Sequence, residues 1–232
     1  MSDHDPVITI DGPSGTGKGT VGLLLAHKLG WHILDSGAFY RAFAHIAHEK
    51  QILPGQIDQL QLVGDQLDVR FEVKTDEIRI WVGGRDITGA IRSEEGGRFA
   101  SIYAAIPEVR QALLARQRET RRPPGLVADG RDLGSVVFPD AAVRFFLTAS
   151  TGNRTNRRQS QVEAAGGHID ASEVRSGIEK RDHLDGTRPD GPLVKPRGAI
   201  EIDTDALSLQ EVIDRLAAEV NRHVEGGPGA QS

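Results

Sequence analysis

Cysteine is absent from the 232 residues of this sequence, and its absence excludes three kinds of chemistry. The chain can form no disulfide, hold no zinc ion through thiolates and use no thiol as a nucleophile. A chain without disulfides fits a reducing compartment, so we predict a cytoplasmic location.

Long apolar runs are lacking as well. No stretch approaches the roughly 18 residues that a membrane-spanning helix needs, and residues 1–5 lack the basic-then-apolar pattern of a signal peptide. We therefore expect no membrane partner. With 38% hydrophobic and 26% charged residues, the chain has an ordinary globular composition and is long enough for one large domain.

The sequence also lacks an excess of positive charge. Its formal net charge is −5, so we expect no nucleic-acid partner. The basic residues are nevertheless unusual, because 22 of the 28 are arginine. The planar guanidinium group suits phosphate recognition. A GC-rich genome would give the same bias, so the positions of the arginines must decide.

A glycine-rich segment follows the first apolar run, residues 7–10. Its spacing from Gly12 to Lys18 is that of a phosphate-binding loop, and a helical period begins at the lysine. Backbone N–H groups of such a loop and the N-terminus of the next helix surround an anion. Gly19 departs from the strict pattern, and the hydroxyl comes one residue later, at Thr20. A chance turn would need strand, spacing, lysine and helix to coincide.

Strands and helices alternate along most of the chain. Apolar runs predict further strands at 31–34, 126–128, 143–148 and 200–202. Helical spacing predicts helices within 21–29, 38–47, 57–67, 94–104, 107–120 and 209–220. This order predicts an α/β fold with a parallel central sheet. Between residues 68 and 91 the period alternates, which predicts a small antiparallel insertion; one edge of the main sheet is the alternative.

Polar residues dominate the segment after residue 150. Residues 151–168 predict a mobile flap that leads into a helix near 171–181, and residues 182–198 predict a loop. The cluster Arg181–Arg188 lies at the start of this loop and contains two arginines and two aspartates. It is either a solvated network of ion pairs or a set of charges around a transferring phosphoryl group.

Three predicted strands end in chemically active residues. They lead into the glycine-rich segment, into 35–37 and into 129–132. Ligands of an open parallel sheet bind beyond the carboxyl ends of its strands, so we expect these loops to face one crevice. Asp129 ends a buried strand, as a Mg²⁺-organising carboxylate would, although a loop or helix-cap aspartate is the alternative.

Four segments together resemble the bacterial cytidylate kinases. They are Gly-Pro-Ser-Gly-Thr-Gly-Lys-Gly-Thr at 12–20, Asp-Ser-Gly-Ala-Phe-Tyr-Arg at 35–41, Asp-Gly-Arg-Asp-Leu-Gly at 129–134, and Arg-Asp with Asp-Gly-Thr-Arg at 181–188. The first segment alone would indicate only a phosphate-loop protein. The resemblance extends from about residue 6 to 222 and includes the insertion, and Lys-Gly-Thr is that family's own loop ending.

The resemblance implies ATP-dependent phosphorylation of CMP and dCMP, with Mg²⁺, in pyrimidine nucleotide metabolism. It implies a P-loop three-layer fold in one domain, residues 6–225, between disordered tails at 1–5 and 226–232. Its parts are a core (about 6–62, 107–150 and 190–225), a monophosphate-binding region with the insertion (63–106) and a mobile lid (151–170). We expect a monomer.

The resemblance also implies the roles of individual residues. ATP-binding residues are Gly12, Pro13, Ser14, Gly15, Thr16, Gly17, Lys18, Gly19, Thr20, Arg154 and Arg157. CMP-binding residues are Ser36, Tyr40, Arg41, Ser101, Arg110, Arg131, Asp132, Arg181, Asp185 and Arg188. Catalytic residues are Lys18, Arg131, Arg158 and Arg181. Thr20 and Asp129 are expected to hold Mg²⁺, partly through water.

The choice of base has a physical rationale. Cytosine carries an amino donor beside two acceptors, so Asp132 can accept from the amino group and Arg110 or Arg188 can donate to the acceptors. Uracil would leave Asp132 facing a carbonyl oxygen. Asp185 is expected to accept from ribose hydroxyls. For the lid arginines 154, 157 and 158, a solvated helix face is the alternative.

Two other functions stay open at this point. One is a related small kinase that acts on UMP, shikimate or gluconate. The other is a nucleotide-dependent switch, but the guanine-reading pattern Asn-Lys-x-Asp is absent from the sequence, which counts against a GTPase.

Overall fold

The computed structural model describes residues 5–74, 77–91, 94–164 and 166–225. Apart from Asp5, both predicted tails lie outside these ranges. Within these ranges there are eight strands: β1 (Val7–Asp11), β2 (His32–Asp35), β3 (Val69–Val73), β4 (Ile78–Val82), β5 (Arg85–Asp86), β6 (Leu126–Gly130), β7 (Val143–Thr148) and β8 (Ile200–Asp203).

Nine α-helices connect and cover the strands in the described ranges. They are α1 (Lys18–Leu29), α2 (Ser36–Glu49), α3 (Ile57–Asp65), α4 (Thr88–Ile91), α5 (Glu94–Ala104), α6 (Pro107–Arg118), α7 (Thr151–Ala164), α8 (Ala171–Thr187) and α9 (Leu209–Val220). Short π-helical turns follow β6 and α9, at Leu133–Val137 and Asn221–Glu225. None of these helices has the length and apolarity needed to cross a membrane.

Five of the strands form a parallel sheet in the order β2-β6-β1-β7-β8. Every residue of β1 and β6 is buried, as expected for parallel strands with helices on both faces. The fully enclosed aromatic side chains of the core are Phe39, Phe43, Phe138 and Phe145. The predicted α/β fold with a parallel central sheet is confirmed.

The small sheet is the predicted antiparallel insertion. Its order is β3-β4-β5, and the register pairs Val69 with Val82 and Val73 with Ile78. No ladder joins it to the main sheet in the described part of the chain. The alternative of a main-sheet edge is therefore wrong.

One prediction about the polar segment after residue 150 is wrong. The expected loop after residue 181 begins with the last turns of α8, which runs to Thr187, whereas the segment expected as a flap contains helix α7. Asp170 caps α8 by accepting from the N–H of Ser172 at 2.7 Å, and Arg188 ends it in an extended conformation before a proline. Strings of Glu, Lys and Arg are good helix formers, so high polarity here did not mean a loop.

Candidate active site

The carboxyl ends of β1, β2 and β6 open into one cavity of about 690 Å³. These strands are neighbours in the sheet, and the register sets Asp35 beside Asp129 and Asp11 beside Gly130. The loops that follow the three strands therefore meet at one edge, which confirms the predicted crevice.

The segment after β1 has the backbone of an anion-binding loop. Gly15 and Gly17 have φ values of 82° and 89°, a left-handed region that disfavours side chains. At Gly12 a Cβ would lie 2.2 Å from the carbonyl oxygen of Leu147, so only glycine fits. The loop therefore packs tightly against β7 and continues into α1. The N-terminus of a helix favours a bound anion.

Lys18 lies at the first position of α1 and folds back over the loop. Its Nζ donates to the carbonyl oxygen of Pro13 at 2.7 Å and lies 3.4 Å from the Oγ1 of Thr16. Burial lowers the pKa of Lys18 well below its usual value, and the nearby Arg131 lowers it further. An anionic phosphate in the loop would favour the charged amine.

Asp129 lies in β6 next to Asp35 and beside the first turn of α1. Burial raises the pKa of Asp129 to about 8; Asp35 adds to the rise, and Lys18 opposes it. Its Oδ2 is buried and has no hydrogen-bond partner in the described part of the chain. An unpartnered carboxylate oxygen fits a Mg²⁺ ion that keeps most of its water ligands and is held by one or two carboxylates and phosphates. The predicted partner, Thr20, is exposed and lines the same cavity.

Asp11, at the end of β1, was not among the predicted site residues. Its two carboxylate oxygens accept from the N–H groups of Leu133 and Gly134, at 2.9 and 2.8 Å. Burial raises the pKa of Asp11 to about 6, and these two hydrogen bonds oppose the rise. Asp11 therefore ties the start of the phosphate loop to the turn that follows Asp132.

The far end of the cavity holds a buried cluster of charges. Arg110 from α6 forms an ion pair with Asp132, and Arg188 approaches the same carboxylate, with Nη2 3.1 Å from Oδ1. Arg110 also donates to the hydroxyl of Tyr40 at 3.3 Å. An isolated charge would be costly in this buried position. The cluster is stable because its members are paired.

Cationic side chains line the middle of the cavity. Arg131 donates from Nε to Asp185 at 2.8 Å, and Arg41 donates to the carbonyl oxygen of Ile91 at 3.0 Å. Burial lowers the pKa of Arg181 to about 10; Arg131 lowers it further, and Asp185 opposes the fall. Crowded arginines of this kind favour an anion between them.

The three arginines of α7 have different surroundings. Arg154 is buried and donates to the carbonyl oxygen of Ser14 at 3.1 Å and to Asp182 at 2.6 Å. Arg157 donates to the Oγ1 and the carbonyl oxygen of Thr204, at 2.9 and 2.7 Å. Only Arg158 of the three lines the cavity. A solvated helix face is therefore the wrong description for Arg154.

Comparison with known proteins identifies the family. The profile described as cytidylate kinase matches residues 8–222. The chain belongs to the cytidylate kinase family. A cytidylate kinase of Marinomonas sp. (strain MWYL1) is 46% identical over 94% of this chain and 97% of that protein. One from Stutzerimonas stutzeri (strain A1501) is 48% identical over 93% and 95%. The resemblance inferred from the four motifs is confirmed.

A solved structure with low sequence identity has the same fold. It is an uncharacterized protein from Eubacterium ventriosum ATCC 27560, with a TM-score of 0.50 and 12% identity, covering 94% of this chain and 98% of the other. At that identity the likeness concerns the fold alone.

Most residues expected to form the cytidylate kinase site line the cavity. They are Ser14, Gly15, Gly17, Lys18, Gly19, Thr20, Ser36, Tyr40, Arg41, Ser101, Asp129, Arg131, Asp132, Arg158, Arg181, Asp185 and Arg188. The others lie behind this lining: Gly12, Pro13, Thr16, Arg110, Arg154 and Arg157. Sequence reasoning missed Asp11, Gln117 and Asp182 as supports of the site. Asp11 stood directly before the first motif and Asp182 inside the fourth, but Gln117 had no local signal.

Proposed function

We propose that this chain transfers the γ-phosphoryl group of ATP to CMP or dCMP and forms ADP with CDP or dCDP. The observation that carries the proposal is the two-ended cavity. A phosphate loop with Lys18 lies at one end, the paired charges of Arg110, Asp132 and Arg188 lie at the other, and arginines line the space between. Membership of the cytidylate kinase family and relatives of that name support the same reaction.

The donor end suits a triphosphate. The loop from Gly12 to Thr20, with the backbone N–H groups of its residues other than Pro13, and the N-terminus of α1 surround the outer phosphates of ATP in this proposal, and Lys18 neutralises their charge. Arg154 and Arg157 act on ATP indirectly, because their hydrogen bonds go to the loop and to Thr204. They hold the loop in its anion-binding shape.

The acceptor end suits cytidine monophosphate. Asp132 accepts from the amino group of cytosine, while Arg110 and Arg188 donate to its ring nitrogen and carbonyl oxygen. Asp185 accepts from ribose hydroxyls. Ser36, Tyr40, Arg41, Ser101, Arg131 and Arg181 complete the CMP site in this proposal. Because the base-reading charges are already paired with one another, the free protein holds them close to their binding geometry.

The chemical step needs cations more than it needs a base. An oxygen of the CMP phosphate is already anionic and attacks the γ-phosphorus, as the bond from that phosphorus to the bridging oxygen of ADP breaks. Lys18, Arg131, Arg158 and Arg181 stabilise the charge on the transferring group. The lowered pKa of Arg181 reflects burial and positive charge that a bound phosphate relieves.

Mg²⁺ belongs to this proposal as the cofactor. Asp129 and Thr20 would hold it, partly through water, and the buried oxygen of Asp129 without a partner in the described residues supports that assignment. When bound, the ion neutralises charge on the phosphates of ATP.

Several predictions from the sequence go with this proposal. They are the division into core, monophosphate-binding region and lid, the mobility of the lid at 151–170, a monomeric state and a cytoplasmic location. Closure of the lid would exclude water that otherwise hydrolyses ATP. Light scattering on a sizing column tests the monomer, and hydrogen exchange over α7 with and without both nucleotides tests the lid.

A screen of acceptors tests the function directly. The purified protein receives ATP and Mg²⁺ with CMP, dCMP, UMP, AMP, shikimate or gluconate, and formation of ADP and of the phosphorylated acceptor is measured. We expect CMP and dCMP to react fastest. Faster turnover of UMP would contradict the cytidylate assignment, and binding of ATP and CMP without any product would favour a nucleotide-dependent switch.

A further inference from the structure

Gln117 is a buried amide on α6, directly behind the base-binding end of the cavity. Its Oε1 accepts from the hydroxyl of Ser36 at 2.8 Å, and its Nε2 lies 3.4 Å from the carbonyl oxygen of Leu113. Burial raises the pKa of Tyr40, and Arg110 together with a side-chain hydrogen bond from Gln117 opposes that rise. Gln117 therefore contacts two cavity residues without lining the cavity itself.

The surroundings of Gln117 determine which way its amide points. A carbonyl oxygen can only accept, so the side of the amide that faces Leu113 must be the NH₂ group. The oxygen of the amide must then face Ser36. A serine hydroxyl has one proton, and that proton is committed to Gln117. Toward the cavity, the Ser36 oxygen therefore presents lone pairs and acts as an acceptor.

We propose that Gln117 is a positioning residue that fixes the Ser36 hydroxyl as an acceptor toward the base and so contributes to the preference for cytosine over uracil. The inference rests on the proposed function. Ser36 lies close to Gly130 and one helical turn before Tyr40 on α2, and Tyr40 contacts Arg110 of the base-reading cluster. An acceptor there satisfies the amino group of cytosine, whereas the carbonyl oxygen of uracil would face a second oxygen.

A substitution of Gln117 that keeps its volume tests the inference. In Gln117→Met the Ser36 hydroxyl is free to rotate and donate to uracil. We expect the ratio of kcat/KM for CMP to that for UMP to fall about fivefold to tenfold, while kcat at saturating CMP changes little. Gln111→Met is the matched control, because Gln111 is exposed on the same helix. It should keep the wild-type ratio.

Three further variants separate a positioning role from a merely structural one. Gln117→Glu with a protonated carboxyl retains an oxygen that accepts from Ser36 and an O–H that donates to the carbonyl oxygen of Leu113, so it should keep most of the discrimination. Ser36→Ala should lower the ratio by itself, and Gln117→Met added to Ser36→Ala should lower it no further. If Gln117→Met does not fold, the ratios measured for Gln117→Glu and Ser36→Ala decide whether the inference holds.

Different outcomes contradict different parts of this reasoning. An equal loss of kcat/KM for CMP and UMP in Gln117→Met, additive effects in the double variant, or lost discrimination in Gln117→Glu would overturn the role of Gln117. A wild-type protein that does not phosphorylate CMP would instead overturn the proposed function. The wild-type assay, run first, keeps the two failures apart.

Discussion

The two ends of the cavity are built in opposite ways. The donor end comes mainly from one continuous segment, residues 12–20, with Asp129 of β6 beside it. Lys18 is bonded within its own loop, and the Oδ2 of Asp129 has no hydrogen-bond partner in the described residues. The acceptor end comes from α2, α6, β6 and α8, and its charges are already paired. A local motif thus suffices to hold phosphates, whereas reading a base requires several elements to be fixed against one another.

The largest effect should come from the donor end. In Lys18→Ala we expect turnover to fall about a hundredfold to a thousandfold, because a cation is lost where charge develops. The loss should be equal for CMP and UMP, since the donor end does not contact the base. Steady-state rates with both acceptors measure it, and Lys28→Ala, which removes an exposed lysine paired with Asp214, is the control. A changed ratio between CMP and UMP would contradict the separation of the two ends.

Asp132→Ala should affect the acceptor end selectively. We expect the KM for CMP to rise roughly tenfold to a hundredfold and the choice of base to relax, because Arg110 and Arg188 lose their shared carboxylate. The KM for ATP should change little. Asp140→Ala, which removes the partner of Arg121 outside the cavity, is the control. An unchanged preference for CMP over UMP in Asp132→Ala would contradict the assignment.

Asp11 joins the two ends, so its substitution should disturb both. In Asp11→Asn an NH₂ group replaces one of two oxygens that accept from Leu133 and Gly134, and a buried N–H is left without an acceptor. We expect the free energy of unfolding to fall by about 1–3 kcal/mol and the KM values of ATP and CMP to rise together. Denaturant unfolding and kinetics measure these effects. A rise in only one KM would show that Asp11 supports one end alone.

Asp129→Asn should change stability with the opposite sign in the protein without ligands. The pKa of this carboxyl rises from 3.8 to about 8 on folding, so its ionised form is disfavoured in the folded protein. The wild-type protein without ligands therefore loses stability relative to Asp129→Asn as pH rises from 4 to 8, and the difference levels off above 8. We expect the Asp129→Asn variant to be more stable than the wild type at pH 8.

Melting temperatures of both proteins between pH 5 and 9, without nucleotide or Mg²⁺, measure this difference. Identical pH dependence in the two proteins would contradict the raised pKa. We also expect Asp129→Asn to need a higher concentration of Mg²⁺ for activity, because in the proposed function this carboxylate holds the ion at the donor end.

The comparison also explains what the sequence predicted well. Strand ends, the glycine spacing and the family motifs are local patterns, so the sheet, the insertion and the shared crevice followed from them. Gln117 was missed because a glutamine in a helix carries no local signal, and its partner Ser36 is 81 residues away. The Arg181–Arg188 cluster was found, but its helical conformation was missed because a charged surface helix with few buried residues resembles a loop in composition.

The hydrogen bonds of Arg154 and Arg157 anchor the first half of α7, so any rotation of this helix would turn about that part. Both side chains bind carbonyl oxygens of the phosphate loop or of Thr204 from the first half of the helix. Ala164, at the other end, is about 10 Å further along the axis, so a rotation of about 20° would move it by only about 4 Å. Arg158 is one residue from the anchored part and would hardly move. The position of its backbone is therefore set by the anchors, whatever position the rest of α7 takes.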